Sequence, residues 1–330
     1  MALTNTTVRR FTAALLCFLP CLGIAQIPQP SLSGTPDAPY RFSTSVEMVV
    51  LQASVRTAKG SFVNGLRQNN FQVLENEQSQ TIGLFRHHDS PVAIGLIVDN
   101  SGSMRRKHAA VLAAAKTFAK NSNAQDQLFV VNFNEQVRLG LPGTQLSSAS
   151  ARELEHALPA TAGGGKTALY DALELGIKHV RELKQDKKAL ILISDGGDNA
   201  STHTMEQVIA DATNSDVVIY TIGLFGKYED ETNPAFLKQI ADVTGGEAFR
   251  PARPGQAAGN CKRIAQTIRN VYTIGYTPTN RELDGKFRAI QVKVKSPRRG
   301  AMLARTRAGY TAQPKSVAEN FGLFPRLGHN

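Results

Sequence analysis

The candidates for chemistry in this sequence are five oxygen-bearing side chains that stand at the ends of apolar segments. They are Asp99, Ser101, Ser103, Thr167 and Asp195. The first three follow the apolar run 92–98, the last follows the run 188–194, and Thr167 comes after the glycines 163–165. Carboxylate and hydroxyl oxygens are the ligands that a hard cation such as Mg²⁺ takes in octahedral geometry. The pattern therefore predicts a site for Mg²⁺ or Mn²⁺.

Such a site favours binding over catalysis. With only two protein carboxylates, the metal stays electrophilic and keeps a position open for a carboxylate from a partner protein. Each acid also has a simpler interpretation, Asp99 as a helix N-cap and Asp195 as a turn residue before glycine. The three accompanying hydroxyls favour the metal site. Asp198 and Asn199 are interpreted as turn or cap residues.

The segments that carry these residues alternate between strand and helix patterns. Apolar runs predict parallel strands at 92–98, 127–133, 188–194 and 216–222. Helical spacing predicts helices at 107–119, 169–183, 205–213, 234–243 and 257–270. This alternation predicts an α/β unit over residues 91–271, a parallel-rich sheet covered by helices on both faces. Ligands of such sheets bind beyond the carboxyl ends of the strands, which is where Asp99 and Asp195 stand.

Two segments of β character flank this unit, residues 41–90 and 272–312. Strand patterns occur at 46–55, 71–74 and 81–85, then at 290–294, 302–306 and around Tyr310. No helical stretch is expected within 41–90. Each flank is small for an independent sandwich, so we expect the two to pair into one β-sandwich with the α/β unit inserted. The alternative is two separate β appendages.

Three separated motifs resemble the metal-ion-dependent adhesion site of von Willebrand factor type A domains. They are Asp-x-Ser-x-Ser at 99–103, Gly-Gly-x-Thr-Ala-Leu-Tyr-Asp-Ala at 164–172 and Ser-Asp-Gly at 194–196. The resemblance covers residues 91–271. It implies a Rossmann-like fold, the five metal ligands above, and a non-enzymatic protein-binding role completed by an Asp or Glu of the partner. Lys166 departs from the pattern and would weaken metal affinity or attract an acidic partner.

The flanks are similar to those of a bacterial group of exported type A proteins, seen often in acidobacteria. The similar segments are 63–66, 71–75, 275–278 and 284–288. This resemblance extends over most of the chain after its leader.

The first 25 residues have the features of a secretory signal peptide. Arg9 and Arg10 precede an apolar run, and small residues end at Ala25. The general secretory route is favoured, and a lipid anchor on Cys21 is the alternative. Residues 26–40 are a Pro- and Ser-rich linker and 313–330 a tail. The chain after cleavage is expected to be secreted or periplasmic, not transmembrane, with Cys261 as its one cysteine.

Other activities fit the residues less well. A phosphate loop needs glycine where Ala160 stands, so no nucleotide is expected. Ser101 lacks the Gly-x-Ser-x-Gly setting of a nucleophile, and the histidines lack zinc spacing. Metal-activated hydrolysis would need a general base that the sequence does not offer near the site. We therefore expect no enzyme and no catalytic residues.

A rival hypothesis starts from the formal charge of +11. Its basic residues towards the C-terminus are Lys286, Arg288, Lys293, Lys295, Arg298, Arg299, Arg305 and Arg307. They could form a basic β face on a scaffold protein that binds anionic partners, with the metal purely structural. No aromatic residues interleave with them, so nucleic acid is not expected as the partner.

Overall fold

The computed structural model describes residues 48–145, 150–158, 165–226, 232–296 and 300–313. The N-terminal flank contains β1 (Val49–Thr57), β2 (Phe71–Glu75), β3 (Gln78–Gln80) and β4 (Ile82–Arg86). The middle contains β5 (Val92–Asp99), α1 (His108–Lys120), β6 (Gln127–Phe133), β7 (Val137–Gln145), α2 (Ser150–Ala157), α3 (Leu169–Glu182), β8 (Lys187–Ser194), α4 (Met205–Asn214), β9 (Val218–Gly223), α5 (Pro234–Thr244), β10 (Ala248–Phe249) and α6 (Ala257–Arg269). The C-terminal flank contains β11 (Val271–Tyr276), β12 (Phe287–Val294), β13 (Met302–Arg305) and β14 (Gly309–Thr311).

The middle segment forms one six-stranded sheet in the order β10-β9-β8-β5-β6-β7. Its pairings are parallel except for β7, which runs antiparallel to β6 at the edge. Every residue of β5 is buried, as expected for a central strand covered on both faces. The prediction of a parallel-rich α/β fold is confirmed.

Helices cover both faces of this sheet and divide its core in two. On one face, alternate β5 residues such as Ile94 and Leu96 pack with α1 and α6, and Phe118 and Ile264 are fully buried there. On the other face, Ile97 packs with buried residues of α3, α4 and α5. Buried apolar surface stabilises a fold by about 25 cal/mol per Å². The two cores therefore hold the sheet, and with it the ends of its strands, in place.

The two flanks form two four-stranded antiparallel sheets, and strands from both flanks occur in each. One sheet has the order β13-β1-β11-β4 and the other β14-β12-β2-β3. Their apolar faces meet in a third core, where Leu51, Tyr272 and Val73 are completely buried. The pairing of β1 with β11 and of β2 with β12 joins residues more than 200 positions apart into one sandwich.

The sandwich contacts the amino end of the central sheet. The backbone N–H of Ala308 donates to Val243 at the end of α5, and that of Thr311 donates to the Asn214 side chain at the end of α4. Arg307 Nη1 donates to the Ser215 carbonyl before β9. These described contacts lie at the edge opposite the carboxyl ends of β5 and β8.

Several elements differ from the sequence-based expectations. Strands β7 and β10 and helix α2 were not expected, and a short 3₁₀ helix, Gln68–Asn70, lies in the flank predicted to lack helical structure. Strand β7 contains Pro142 and two glycines, which weaken the alternation by which strands are recognised. Proline is tolerated there because β7 is an edge strand with one hydrogen-bonded neighbour.

Some predicted features fall outside the described residues. These are the signal peptide 1–25, the linker 26–40, nearly all of the tail 313–330, and Gly163 and Gly164 before Thr167. Among the helices that the structure describes, none is both long and apolar enough to span a bilayer.

Candidate metal centre

Asp99 and Asp195 lie side by side because their strands are neighbours. Strands β5 and β8 pair in parallel, with Val98 opposite Ile193. Asp99 is the last residue of β5, and Asp195 follows Ser194 at the end of β8. Parallel pairing therefore brings both carboxylates to one edge of the sheet, as the sequence predicted.

A chain of contacts through Ser101 and Ser103 joins the two carboxylates. Asp99 Oδ1 accepts from the Ser101 backbone N–H at 2.8 Å, which shapes the loop after β5. The Ser101 and Ser103 hydroxyl oxygens are 3.2 Å apart, and the Ser103 hydroxyl donates to Asp195 Oδ2 at 2.5 Å. Four of the five predicted ligands thus form one connected cluster.

Thr167 is held beside this cluster through its backbone. Its N–H donates to Asn199 Oδ1 at 2.8 Å, and its carbonyl accepts from the Asn199 and Ala200 backbone N–H groups. The next residue, Ala168, donates to the carbonyl of Asn134 after β6. Thr167 is therefore fixed between the loops that follow β6 and β8, at the same edge as Asp99 and Asp195.

Burial disfavours the charged forms of the acids at this site. Asp99 is 1% exposed and Asp195 is 4% exposed. Desolvation raises the pKa of Asp99 to about 6, and the nearby Asp195 charge adds to the rise. Hydrogen bonds from Ser101 and Ser194 act in the opposite direction and lower that pKa. Two buried carboxylates this close favour a bound cation.

One cation of the chain already reaches the site. Lys107, at the end of the 3₁₀ helix Gly102–Lys107 after Ser101, is buried. Its Nζ donates to the carbonyl of Leu224 after β9 at 2.7 Å and lies 3.8 Å from Asp195 Oδ2. Nothing in the local sequence pattern sets Lys107 apart from Arg105 and Arg106.

Ser194 and Asn199 are two further positioning residues missed by the sequence reasoning. The Ser194 hydroxyl donates to Asp99 Oδ2 at 2.6 Å and accepts from the Gly196 N–H. Asn199, interpreted as a turn residue, holds Thr167 in place. In the sequence, Ser194 stands directly before Asp195, which marks it as a residue near the site. Its position alone does not show that its hydroxyl donates to Asp99 and not to Asp195.

Asp198 has the capping role expected of it. Its Oδ2 accepts from the Tyr170 N–H in the first turn of α3 and from the Ser201 hydroxyl. Asp171 fastens the same loop, because its carboxylate accepts from Thr202 and from the N–H and Nδ1 of His203. These bonds connect the start of α3 to the loop that carries Asp195.

The donor set fits a hard divalent cation. It consists of two carboxylates and three hydroxyls, all oxygen. Within the described part of the chain, no group of three or more His, Cys, Asp or Glu side chains is arranged to hold a metal. A metal at this site would therefore rely on hydroxyl ligands. Asp99, Ser101, Ser103, Thr167 and Asp195 are the residues that would hold it.

The described basic side chains of the C-terminal flank are divided between buried and exposed positions. Arg288 is buried and bonds to Asp284, Arg305 bonds to Asp242 and to the Gly246 carbonyl, and Arg307 bonds to Ser215. Arg298 and Arg299 lie outside the described residues. The alternation of β12 leaves Lys293 on the exposed side, while Arg288 points into the sandwich. Within the described residues, the strand pleat and local ion pairs therefore divide the basic side chains, which counts against the rival hypothesis of a basic β face.

Comparison with known proteins agrees with this geometry. Residues 93–260, half of the chain, match the model of the family described as von Willebrand factor type A domain. An uncharacterized protein of Synechocystis sp. is 26% identical over 187 residues, which are 55% of this chain and 42% of that protein. The chain thus spans less than half of that relative's length.

The solved structures that match this chain include proteins from several bacteria. A von Willebrand factor type A protein from Catenulispora acidiphila has 16% identity and a TM-score of 0.49, with 78% of each chain covered. The vWF domain of a type V pili tip protein from Porphyromonas gingivalis has 15% identity and a TM-score of 0.44, over 55% of this chain and 95% of that one. An aerotolerance-related membrane protein from Bacteroides fragilis has 17% identity and a TM-score of 0.42, over 54% and 98%.

Domains of this family are typically protein-interaction or adhesion modules and are generally non-enzymatic. The family match rests on the sequence of residues 93–260, which includes all five candidate ligands. The chain therefore belongs to the family of proteins that carry a von Willebrand factor type A domain.

Proposed function

We propose that this protein binds a partner protein through a divalent cation held by Asp99, Ser101, Ser103, Thr167 and Asp195. When bound, the cation would supply an electrophilic position for a carboxylate oxygen from an Asp or Glu of the partner. Mg²⁺ is the preferred occupant and Mn²⁺ the alternative, since both accept oxygen ligands.

The observation that carries this proposal is the serine bridge between the two buried acids. Ser103 Oγ lies 2.5 Å from Asp195 Oδ2 and 3.2 Å from Ser101 Oγ, and Ser101 N–H bonds to Asp99. Oxygen atoms this closely gathered at the carboxyl ends of parallel strands form a preorganised cradle for a small cation. Few charged ligands in that cradle leave the cation electrophilic toward a carboxylate.

The rim of the site supports an acidic partner. Arg105 and Arg106 are exposed in the 3₁₀ helix that carries Ser103, and Lys166 is exposed next to Thr167. In the described residues these three side chains form no salt bridge with an acid of the chain. Positive charge around the site would steer acidic surfaces toward the metal and raise the association rate.

Binding fits the site better than catalysis. The Ser103 and Ser194 hydroxyls bond to Asp195 and Asp99, and these two acids would be poor general bases for a serine nucleophile while they hold a cation. We also propose that the protein acts outside the cytoplasm, on the strength of the leader pattern in residues 1–25.

The metal part of the proposal is tested by thermal unfolding in EDTA and in Mg²⁺ or Mn²⁺. If the metal binds with a Kd of ~0.1 mM, ~1 mM metal stabilises the protein by about 1.4 kcal/mol, a shift of about 3–5 °C in Tm. Asp99→Ala should abolish this shift. Asp198→Asn, which changes an acid that caps α3, should retain it. A shift that survives in Asp99→Ala would contradict the proposed ligands.

The partner part is tested with phage-displayed peptides selected on the immobilised wild type in Mg²⁺ and eluted with EDTA. We expect enriched peptides to share an Asp or Glu whose replacement by the amide abolishes binding, and to fail on Asp99→Ala. Peptides that bind equally well in EDTA, or that lack an acid, would contradict completion of the metal site by a carboxylate. Arg105→Ala should slow association while leaving the metal shift unchanged.

A further inference from the structure

The metal site has a counter-ion within its own chain. Lys107 has a side chain that is 7% exposed, and its Nζ lies 3.8 Å from Asp195 Oδ2. A buried lysine is unusual unless it is paired, because removing an ammonium group from water costs several kcal/mol. Its position beside a candidate metal ligand therefore asks for an explanation.

Two of its contacts with described residues connect this ammonium group to the site. Lys107 ends the 3₁₀ helix that follows β5. Its ammonium group donates to the carbonyl of Leu224 after β9 at 2.7 Å and faces the carboxylate of Asp195 after β8. Leu224 in turn donates its N–H to the Ser194 carbonyl, so the β8 and β9 loops are joined beneath the lysine. The side chain thus connects three loops of the site and holds a positive charge at their junction.

The charges of the site are balanced unequally. The Asp195 carboxylate pairs with the Lys107 ammonium group and accepts hydrogen bonds from the Ser103 hydroxyl and the Gly197 N–H. Asp99 receives neutral donors, the Ser101 N–H and the Ser194 hydroxyl. A positive charge beside Asp195 repels any cation that binds there, while in the metal-free protein it offsets the repulsion between the two acids.

We infer that Lys107 acts as an internal counter-ion of the metal site, which stabilises the metal-free loops and lowers the affinity of the site for a divalent cation. The inference rests on the proposed metal site and goes beyond it. It makes Lys107 a positioning and affinity-setting residue that is not itself a ligand. A site weakened in this way holds its metal more firmly once a partner carboxylate adds its negative charge.

The size of the effect follows from the distance. Lys107 Nζ lies 3.8 Å from Asp195 Oδ2, so a cation ligated by that oxygen at about 2 Å would lie within about 6 Å of the ammonium group. Even at the dielectric constant of water, the repulsion between the ammonium group and a divalent cation at that distance corresponds to at least about a fivefold change in a binding constant. Lys107→Met should therefore bind Mn²⁺ at least about fivefold more tightly than the wild type, measured by electron paramagnetic resonance of free Mn²⁺. In EDTA the same variant should have a lower Tm.

Two further variants separate charge from hydrogen bonding and from general electrostatics. Lys107→Gln can keep a donor for the Leu224 carbonyl but loses the charge, so it should gain metal affinity like Lys107→Met and lose less Tm in EDTA. Lys166→Met removes an exposed lysine next to Thr167. The Mn²⁺ affinity of Lys166→Met should stay within about twofold of the wild-type value at physiological salt, because exposed charges are screened.

Tighter Mn²⁺ binding together with a lower metal-free Tm in the Lys107 variants supports the inference. Unchanged or weaker Mn²⁺ binding, or a metal-free Tm that stays the same or rises, would overturn it. Should Lys107→Met not fold, Lys107→Gln decides the question. The assay uses metal alone, so a failure of acidic peptides to bind would count against the proposed function without affecting this result.

Discussion

The hydroxyl of Ser194 offers the sharpest test of how this site is held together. Ser194→Ala removes a donor 2.6 Å from Asp99 Oδ2 and an acceptor 2.9 Å from the Gly196 N–H. Ser215 is a matched control, because it is also buried, donates to the Ala212 carbonyl at 2.8 Å and accepts from the Val217 N–H. The two serines differ in what they donate to, a carboxylate or a neutral carbonyl.

That difference sets the expected magnitudes. A hydrogen bond to a charged group contributes about 1.5–3 kcal/mol and a neutral one about 0.5–1.5 kcal/mol, with a similar further cost in both variants for the orphaned N–H. We expect Ser194→Ala to lower the free energy of unfolding by about 2–4 kcal/mol and Ser215→Ala by about 1–2 kcal/mol. Metal affinity should fall by about 10–100-fold in Ser194→Ala alone, as for other groups that orient metal ligands.

The measurement is urea unfolding in EDTA at pH 7.5 and at pH 5. The pKa of Asp99 is raised from 3.8 to about 6, so the ionised carboxylate costs stability above pH 6 and protonation relieves that cost as the pH falls. The charge-assisted part of the Ser194 bond is lost on the same protonation. The difference between the losses of unfolding free energy in Ser194→Ala and Ser215→Ala should therefore be smaller at pH 5 than at pH 7.5.

Either of two results would refute this reasoning. Equal losses in Ser194→Ala and Ser215→Ala at pH 7.5 would show that Asp99 does not depend on its donor. A gap of unchanged size at pH 5 would show that the ionised carboxylate is not the cause.

Three other predictions concern the frame around the site. Gly246→Ala should destabilise the protein by more than about 3 kcal/mol, because its Cβ would overlap a carbonyl of β9, whereas Gly259→Ala, with open space around it in α6, should stabilise by about 0.5–1 kcal/mol in urea unfolding. The hydrogen bond to Asp171 raises the pKa of His203 above 6.5, so the imidazole should titrate above that value by NMR. In Asp171→Asn the pKa of His203 should return toward 6.5. The pair stabilises the fold while His203 is protonated, and this stabilisation is lost as the pH rises through the raised pKa. Burial raises the pKa of Cys261 to about 12, so a thiol reagent at pH 8 should label it after unfolding and leave the folded protein unlabelled.

The position of the sandwich has a consequence for partner binding. Its described contacts with the α/β unit, through Ala308, Thr311 and Arg307, lie at the amino end of the sheet. The metal centre is at the opposite edge. In the proposed function, a partner would therefore approach Ser103 and Lys166 at the edge of the sheet opposite the described contacts of the sandwich.

The sequence by itself determined most of the strands and helices and the types of the candidate ligands. Apolar runs such as 92–98 and 188–194 identify buried parallel strands because both faces of such strands meet helices. The acids that end these runs then fall at one edge, since parallel strands all end on the same side. Strand β7 escaped this reasoning, because an edge strand with proline and glycines lacks both a continuous apolar run and a regular alternation.

Only the tertiary structure decided which side chains act together. Ser194 serves Asp99 across 95 positions, and Lys107 reaches Leu224 across 117 positions, because β8 lies between β5 and β9. Periodicity reports the face on which a residue lies but not which strand is its neighbour. The same limit applied to the basic residues of the C-terminal flank. Their number is visible in the sequence, but only the structure shows that β12 buries Arg288 beside Asp284 while it exposes Lys293, and that Arg305 pairs with Asp242.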